Sequence, residues 1–172
     1  LAPWAAAPAD LRQRVLARAI AWASGARRPR QRALAPLEAA LRAPNAAPRT
    51  LSGALILPMG PEALICREPS RLPPAVPARP GAVWDGRWQV VGAPPDGAVL
   101  GALGAEGLRD PGLARVVGGG FAASPRAARL GSPCIRHDGA LIFAPFAGYE
   151  CAPQGLMLRD LRATRAPDGN GT

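Results

Sequence analysis

Residues 50–67 read TLSGALILPMGPEALICR, and this stretch decides the fold class. Its apolar residues stand in two short clusters, ALIL at 54–57 and ALI at 63–65, separated by Pro58-Met59-Gly60-Pro61. Short apolar clusters on either side of a Pro/Gly turn read as two strands. The spacing predicts strands over 50–57 and 62–67 that close into a β-hairpin.

Upstream of it the period is helical. In ADLRQRVLARAIAWASG, residues 9–25, an apolar stripe runs through Leu11, Val15, Leu16, Ala19, Ile20 and Ala23. Asp10 is expected to cap the start of this helix with its carboxylate, and Gly25 to end it in left-handed geometry. Arg14 and Arg18 lie one turn apart on the more polar face. Residues 26–43, ARRPRQRALAPLEAALRA, predict a second helix with Leu34, Leu37 and Leu41 on one side. Pro29 suits its first turn, while Pro36 either sits early enough to be tolerated or kinks it. The simplest arrangement is a helical hairpin over 10–68 carrying the β-hairpin, preceded by an Ala/Pro-rich linker over 1–9.

Downstream, residues 69–82 read PSRLPPAVPARPGA, and five prolines predict an extended, semi-rigid linker. A small β-rich unit is expected over 83–150. It opens with VWDGRWQVVG, in which Trp84 and Trp88 flank an Asp85-Gly86 hairpin signal. Residues 99–108 are Gly-broken and ambiguous. Ser124-Pro125 opens a short basic helix with Arg126 and Arg129, and 134–136 and 140–144 flank His137-Asp138-Gly139 as a further hairpin. Residues 151–172 read as a tail, disordered at the APDGNGT end. The fold class expected is therefore α+β: a helical hairpin with a β-hairpin, a Pro-rich linker, then a small β-rich sub-domain with one basic helix.

Composition bears on partners. The 172 residues carry a formal net charge of +9, every basic residue is Arg, and Gly 20 and Pro 21 make the chain rich in both. Arginine pairs with phosphate through a planar fork and stacks on bases, so clustered Arg in a basic domain points to nucleic acid. A GC-rich genome writes the same composition without that function. Cys66, Cys134 and Cys151 are odd in number and lack Cys-x-x-Cys spacing, which fits a reducing, cytoplasmic setting rather than a disulfide framework. No unbroken apolar run is long enough to span a membrane, and no signal peptide is read at the N-terminus. The chain begins with Leu1, consistent with a piece of a longer protein.

Candidate sites follow from the arginines. Arg27, Arg28, Arg30 and Arg32 fall within six residues at a helix start and can hold phosphates, contacts that position RNA without reading its sequence; a solvated corner is the plainer reading. Arg126, Arg129 and Arg136 form a second group, for which a surface helix covering a hairpin is the plainer reading. Arg14 and Arg18 form a third. Trp84 and Trp88, four apart and so on one face of a strand, can stack on unpaired bases, but read more simply as a core wall. Cys134 and His137 have a Cys-x-x-His spacing, yet with Cys151 they supply three ligands where a closed zinc site needs four; no metal site is expected. His137 has no nucleophile or carboxylate partner that would make it a general base. No catalytic and no cofactor-binding residue is assigned.

Several of these segments resemble tRNA(Ile)-lysidine synthetases. VWDGRWQV followed by SPRAARLGSPCIRHDGALIFAP is similar to the end of that family, and ADLRQRVLARAIAWASG, RPRQRALAPLEAAL and TLSGALILPMGPEALICREPS are similar to its middle region, in order over residues 10–149. The resemblance implies an ATP-dependent ligase that adenylates the wobble cytidine of an isoleucine tRNA with a CAU anticodon and attaches lysine, forming a carbon–nitrogen bond. It implies ATP and Mg²⁺ for the whole enzyme, and a C-terminal part that holds the tRNA. The family's Ser-Gly-Gly-x-Asp-Ser loop does not occur here: Ser24-Gly25-Ala26, Ser52-Gly53-Ala54 and Gly118-Gly119-Gly120 do not match it. This segment alone is therefore expected to be inactive and to need a separate N-terminal catalytic domain. The alternative is a basic interaction module or decayed fragment with generic RNA affinity.

Overall fold

The computed structural model describes Trp4, residues 6–60 and residues 62–163. The chain divides into two compact units, Leu1–Arg71 and Leu72–Thr172. Among the described residues it is α+β, with helices and three antiparallel sheets.

In the first unit, helix α1 (Ala9–Ser24) and helix α2 (Gln31–Arg42) pack on a sheet of β1 (Arg49–Leu51), β2 (Ala54–Met59) and β3 (Glu62–Arg67). Leu16, Ile20, Leu34, Leu37, Leu41 and Ile56 form the core. Burying each such side chain contributes about 1.5–3 kcal/mol before entropy is counted.

Several local expectations are corrected here. The strand expected over 50–57 is two strands, because Ser52 and Gly53 both take positive φ, 51° and 77°, and reverse the chain in a two-residue turn with Leu51 opposite Ala54. Helix α1 begins at Ala9 after Pro8, so Asp10 lies inside the first turn and not at the cap, where it pairs with Arg14. Helix α2 starts at Gln31, leaving Pro29 outside it and Pro36 inside. Gly25 does end α1 in left-handed geometry, at φ 70°. The stretch read as an N-terminal linker contains Trp4, whose ring packs on the core and whose indole N–H donates to the Arg12 carbonyl at 3.3 Å.

The second unit holds two sheets. One has the order β10-β9-β8-β7-β4: β4 (Val76–Pro77), β7 (Val99–Ala102), β8 (Pro133–His137), β9 (Ala140–Ala144) and β10 (Tyr149–Glu150). The other has the order β11-β6-β5: β5 (Val83–Trp84), β6 (Trp88–Val91) and β11 (Met157–Asp160). Trp84, Trp88, Val90, Leu100, Ile135 and Phe143 share one core. Between β7 and β8 run four short helices: α3 (Gly104–Gly107), α4 (Pro111–Val116), α5 (Gly119–Ala123) and α6 (Arg126–Leu130). Asp110 caps α4, accepting from the N–H groups of Gly112 and Leu113, with Pro111 at the first helical position.

The Pro-rich linker reading is corrected. Val76–Pro77 pairs with β7, Ala78 is buried, and the Pro73 and Pro74 carbonyls accept from the Trp84 indole N–H at 3.3 and 3.1 Å. Proline donates nothing to a ladder, but β4 is an edge strand, where that loss is tolerated. The tail reading is corrected as well: Met157–Asp160 pairs with β6, and residues 164–172 lie outside the described residues. Trp84 and Trp88 sit opposite each other on β5 and β6, because the Asp85-Gly86 turn intervenes, and not on one strand. The Asp138-Gly139 turn closes β8 and β9 as expected, with φ of 50° and 79°.

Candidate nucleic-acid interface

In the first unit the Gln31 amide donates to the Gln13 side chain where α1 and α2 meet, and Arg14 and Arg32 are the chain neighbours of that contact. The segment between Gly25 and Gln31 carries Arg27, Arg28 and Arg30, all exposed. Among the described residues no hydrogen bond or ion pair uses the guanidinium groups of Arg27, Arg28, Arg30 or Arg32. A cation without an internal partner loses nothing within the protein when it meets a phosphate. Arg18 is exposed on α1, while the exposed Arg14 lies 3.3 Å from Asp10, a surface pair worth at most about 1 kcal/mol.

The scaffold beneath is fixed by a different ion pair. Glu38 is buried on α2 and takes hydrogen bonds from Arg12 and, at 3.2 Å, from Gln13. Burial lifts its carboxyl, but the bonds from Arg12 and Gln13 and the charges of Arg12 and Arg42 outweigh this and hold it below its ordinary value.

The second unit separates its three candidates. Arg126 is exposed on α6. Arg136 is occupied inside the fold: its guanidinium donates to the Ala102 carbonyl at 3.1 Å, the Leu103 carbonyl at 2.6 Å and the Cys134 sulfur at 3.0 Å. Arg129 is half-buried, and its Nε–H is buried without an acceptor. Leaving such a donor unsatisfied costs about 1–3 kcal/mol. It lies in the wall of a cleft of about 270 Å³ with Phe121 and Phe146. Neither Phe was singled out from sequence, where the tryptophans drew attention. Trp84 and Trp88 are 1% and 7% exposed and belong to the core. The signal available was the pair of lone aromatics on either side of the basic α6.

The Cys-His spacing has a structural explanation. Burial pushes the Cys134 thiol up to about 11 against the opposing effect of Arg136, so it stays protonated at neutral pH and is a poor ligand or nucleophile. The His137 ring Nε2 lies 2.9 Å from the Asp96 carbonyl. Among the described residues no group of three or more His, Cys, Asp or Glu side chains is placed to hold a metal ion. The glycine triplet runs into a helix. Gly119–Ala123 is a short helix, and the Ser124 hydroxyl donates to the Gly120 carbonyl. No helix among the described residues is long and apolar enough to cross a membrane.

No protein-family model matches the chain, and no solved structure matches it. A curated relative does: the tRNA(Ile)-lysidine synthase of Ruegeria pomeroyi is 34% identical over 142 residues, which cover 82% of this chain and 32% of that protein. The chain thus spans about a third of the length of the relative that it matches. Over four fifths of its length, this chain resembles part of a tRNA(Ile)-lysidine synthase.

Proposed function

We propose that this chain is the tRNA-holding, C-terminal part of a tRNA(Ile)-lysidine synthase. Its exposed arginines neutralise phosphates and set the anticodon of an isoleucine tRNA toward a separate N-terminal domain that uses ATP and Mg²⁺. The observation that supports this is Arg27, Arg28, Arg30 and Arg32: four guanidinium groups that no hydrogen bond or ion pair among the described residues uses, in a chain similar to a tRNA(Ile)-lysidine synthase. The chemistry of lysine attachment belongs to the other domain; this part contributes position. Holding the tRNA in register turns a bimolecular encounter into an oriented one, a gain that needs no reactive group here.

The test is a filter-binding titration of the purified chain against isoleucine tRNA with a CAU anticodon, with an unrelated tRNA as competitor. Preference for the isoleucine tRNA supports a specificity-setting part. Equal binding of both reduces the function to generic Arg–phosphate attraction. No binding by a folded sample contradicts the proposal.

A further inference from the structure

The cleft beside α6 is a different kind of surface from the arginine corner of the first unit. Its lining includes Phe121, Ser124, Arg129, Ser132 and Phe146. Phe146 is 53% exposed, a large apolar ring left in solvent. It is not loose, because it stands edge-on against Trp88, with ring centroids 5.1 Å apart and planes at 67°. Trp88 is in turn covered on another side by the Arg87 guanidinium, 4.4 Å from its ring centroid, and Arg87 is anchored by Asp160 at 2.7 Å. An exposed ring held rigidly from behind is a stacking platform that loses little entropy when a second ring lies on it.

The polar features of the cleft point to the chemistry of the occupant. Arg129 lines the cleft as its one charged side chain, half-buried, with its Nε–H covered and without an acceptor. The Ser124 and Ser132 hydroxyls are already donating to the Gly120 and Ala128 carbonyls. The site therefore offers two aromatic rings and one cationic side chain, and no carboxylate lines it. At about 270 Å³ it is smaller than the pockets that enclose drug-sized ligands and suits one planar group. A nucleobase has two apolar faces and carbonyl or ring-nitrogen acceptors on its edge. Only a base free of its pairing partner can leave a stack to present them.

We infer that this cleft takes one unpaired nucleobase of a bound RNA, stacked on Phe146 and Phe121 with its acceptor edge beside the positive charge of Arg129. The inference rests on the RNA-binding reading above and adds to it a site that senses unpaired structure, whereas phosphate contacts at the arginine corner do not. Stacking of this kind tolerates any base, so the cleft distinguishes a free base from a paired one and not one sequence from another.

The test uses the full chain and two RNA probes: a hairpin with a short single-stranded tail, and the same hairpin with a blunt end. Fluorescence anisotropy titrations give the ratio of the two affinities. The tailed hairpin is expected to bind about tenfold more tightly. In Phe146→Leu, and independently in Phe121→Leu and Arg129→Gln, the ratio is expected to fall toward one; the three substitutions perturb packing differently, so loss of fold in one leaves the others informative. A wild-type ratio of one, with both hairpins bound, overturns the cleft assignment and leaves the RNA-binding reading standing. A folded Phe146→Leu variant that keeps the wild-type ratio also overturns it. Failure of the wild-type chain to bind either hairpin removes both.

Discussion

At the residue scale, two side-chain ion pairs and one glycine carry more than their size suggests. Asp160 on β11 takes hydrogen bonds from Arg87 at 3.1 and 2.7 Å, tying the last strand to the 85–87 turn. Burial raises its carboxyl, but Arg87 and the backbone N–H groups of Arg162 and Ala163 prevail and hold it below its ordinary 3.8. A carboxyl depressed in the folded state contributes stability that is present above its unfolded value and is lost as pH falls through the folded one. The same sign holds for Glu38, depressed from 4.5 in the first unit. Both units are therefore expected to lose stability below about pH 4, seen as a falling urea midpoint. Asp160→Asn is expected to flatten that loss in the second unit alone. Glu38→Ala breaks a buried pair and is expected to cost about 3 kcal/mol, read from the same midpoint. Gly92 closes the edge of β6 with φ 87°, and a Cβ there would fall 2.3 Å from the Gly155 carbonyl oxygen. Gly92→Ala combines that clash with left-handed backbone strain of about 1–3 kcal/mol. Thermal unfolding followed by tryptophan fluorescence is expected to show a markedly lower Tm.

At the scale of elements, α2 contains Pro36 on its exposed side. Proline in a helix interior removes a backbone hydrogen bond and crowds the preceding turn. Replacing it also loosens the unfolded chain by up to about 1 kcal/mol, so of a proline penalty of about 3 kcal/mol Pro36→Ala is expected to return about 2 kcal/mol of stability to the first unit. A denaturant titration comparing the two midpoints at equal slope checks this. The elements also show what was legible in the sequence. The helical stripes and the Asp-Gly turns were, because period and positive φ are local properties. The Ser52-Gly53 reversal carries a turn dipeptide, but the strand before it is only Arg49–Leu51, too short to show a period of its own. The strands at Val76–Pro77 and Met157–Asp160 were hidden because their pairing is set by partners far along the chain, β7 and β6. Proline density argued for a linker there, and tertiary pairing prevailed at an edge where a missing N–H is harmless. Among the candidate arginines, exposure followed the charge cluster at 27–32, whereas the fate of Arg136 depended on carbonyls more than thirty residues away.

On the scale of the whole molecule, a chain of net charge +9 commits none of the four arginines in the segment 27–32 to a hydrogen bond or ion pair among the described residues. The relative that it resembles is about three times longer than the matched region. The arginine corner is proposed to bind tRNA through phosphate contacts. Its most direct test is the salt dependence of tRNA binding by the wild-type chain and by the Arg27→Gln, Arg28→Gln, Arg30→Gln, Arg32→Gln variant. Each phosphate neutralised adds about 0.9 to the slope of log affinity against log salt for a duplex stem. If all four arginines reach phosphates, the variant is expected to lose about 3–4 from that slope, with unfolding unchanged. A folded variant whose slope and affinity match the wild type would contradict the claim.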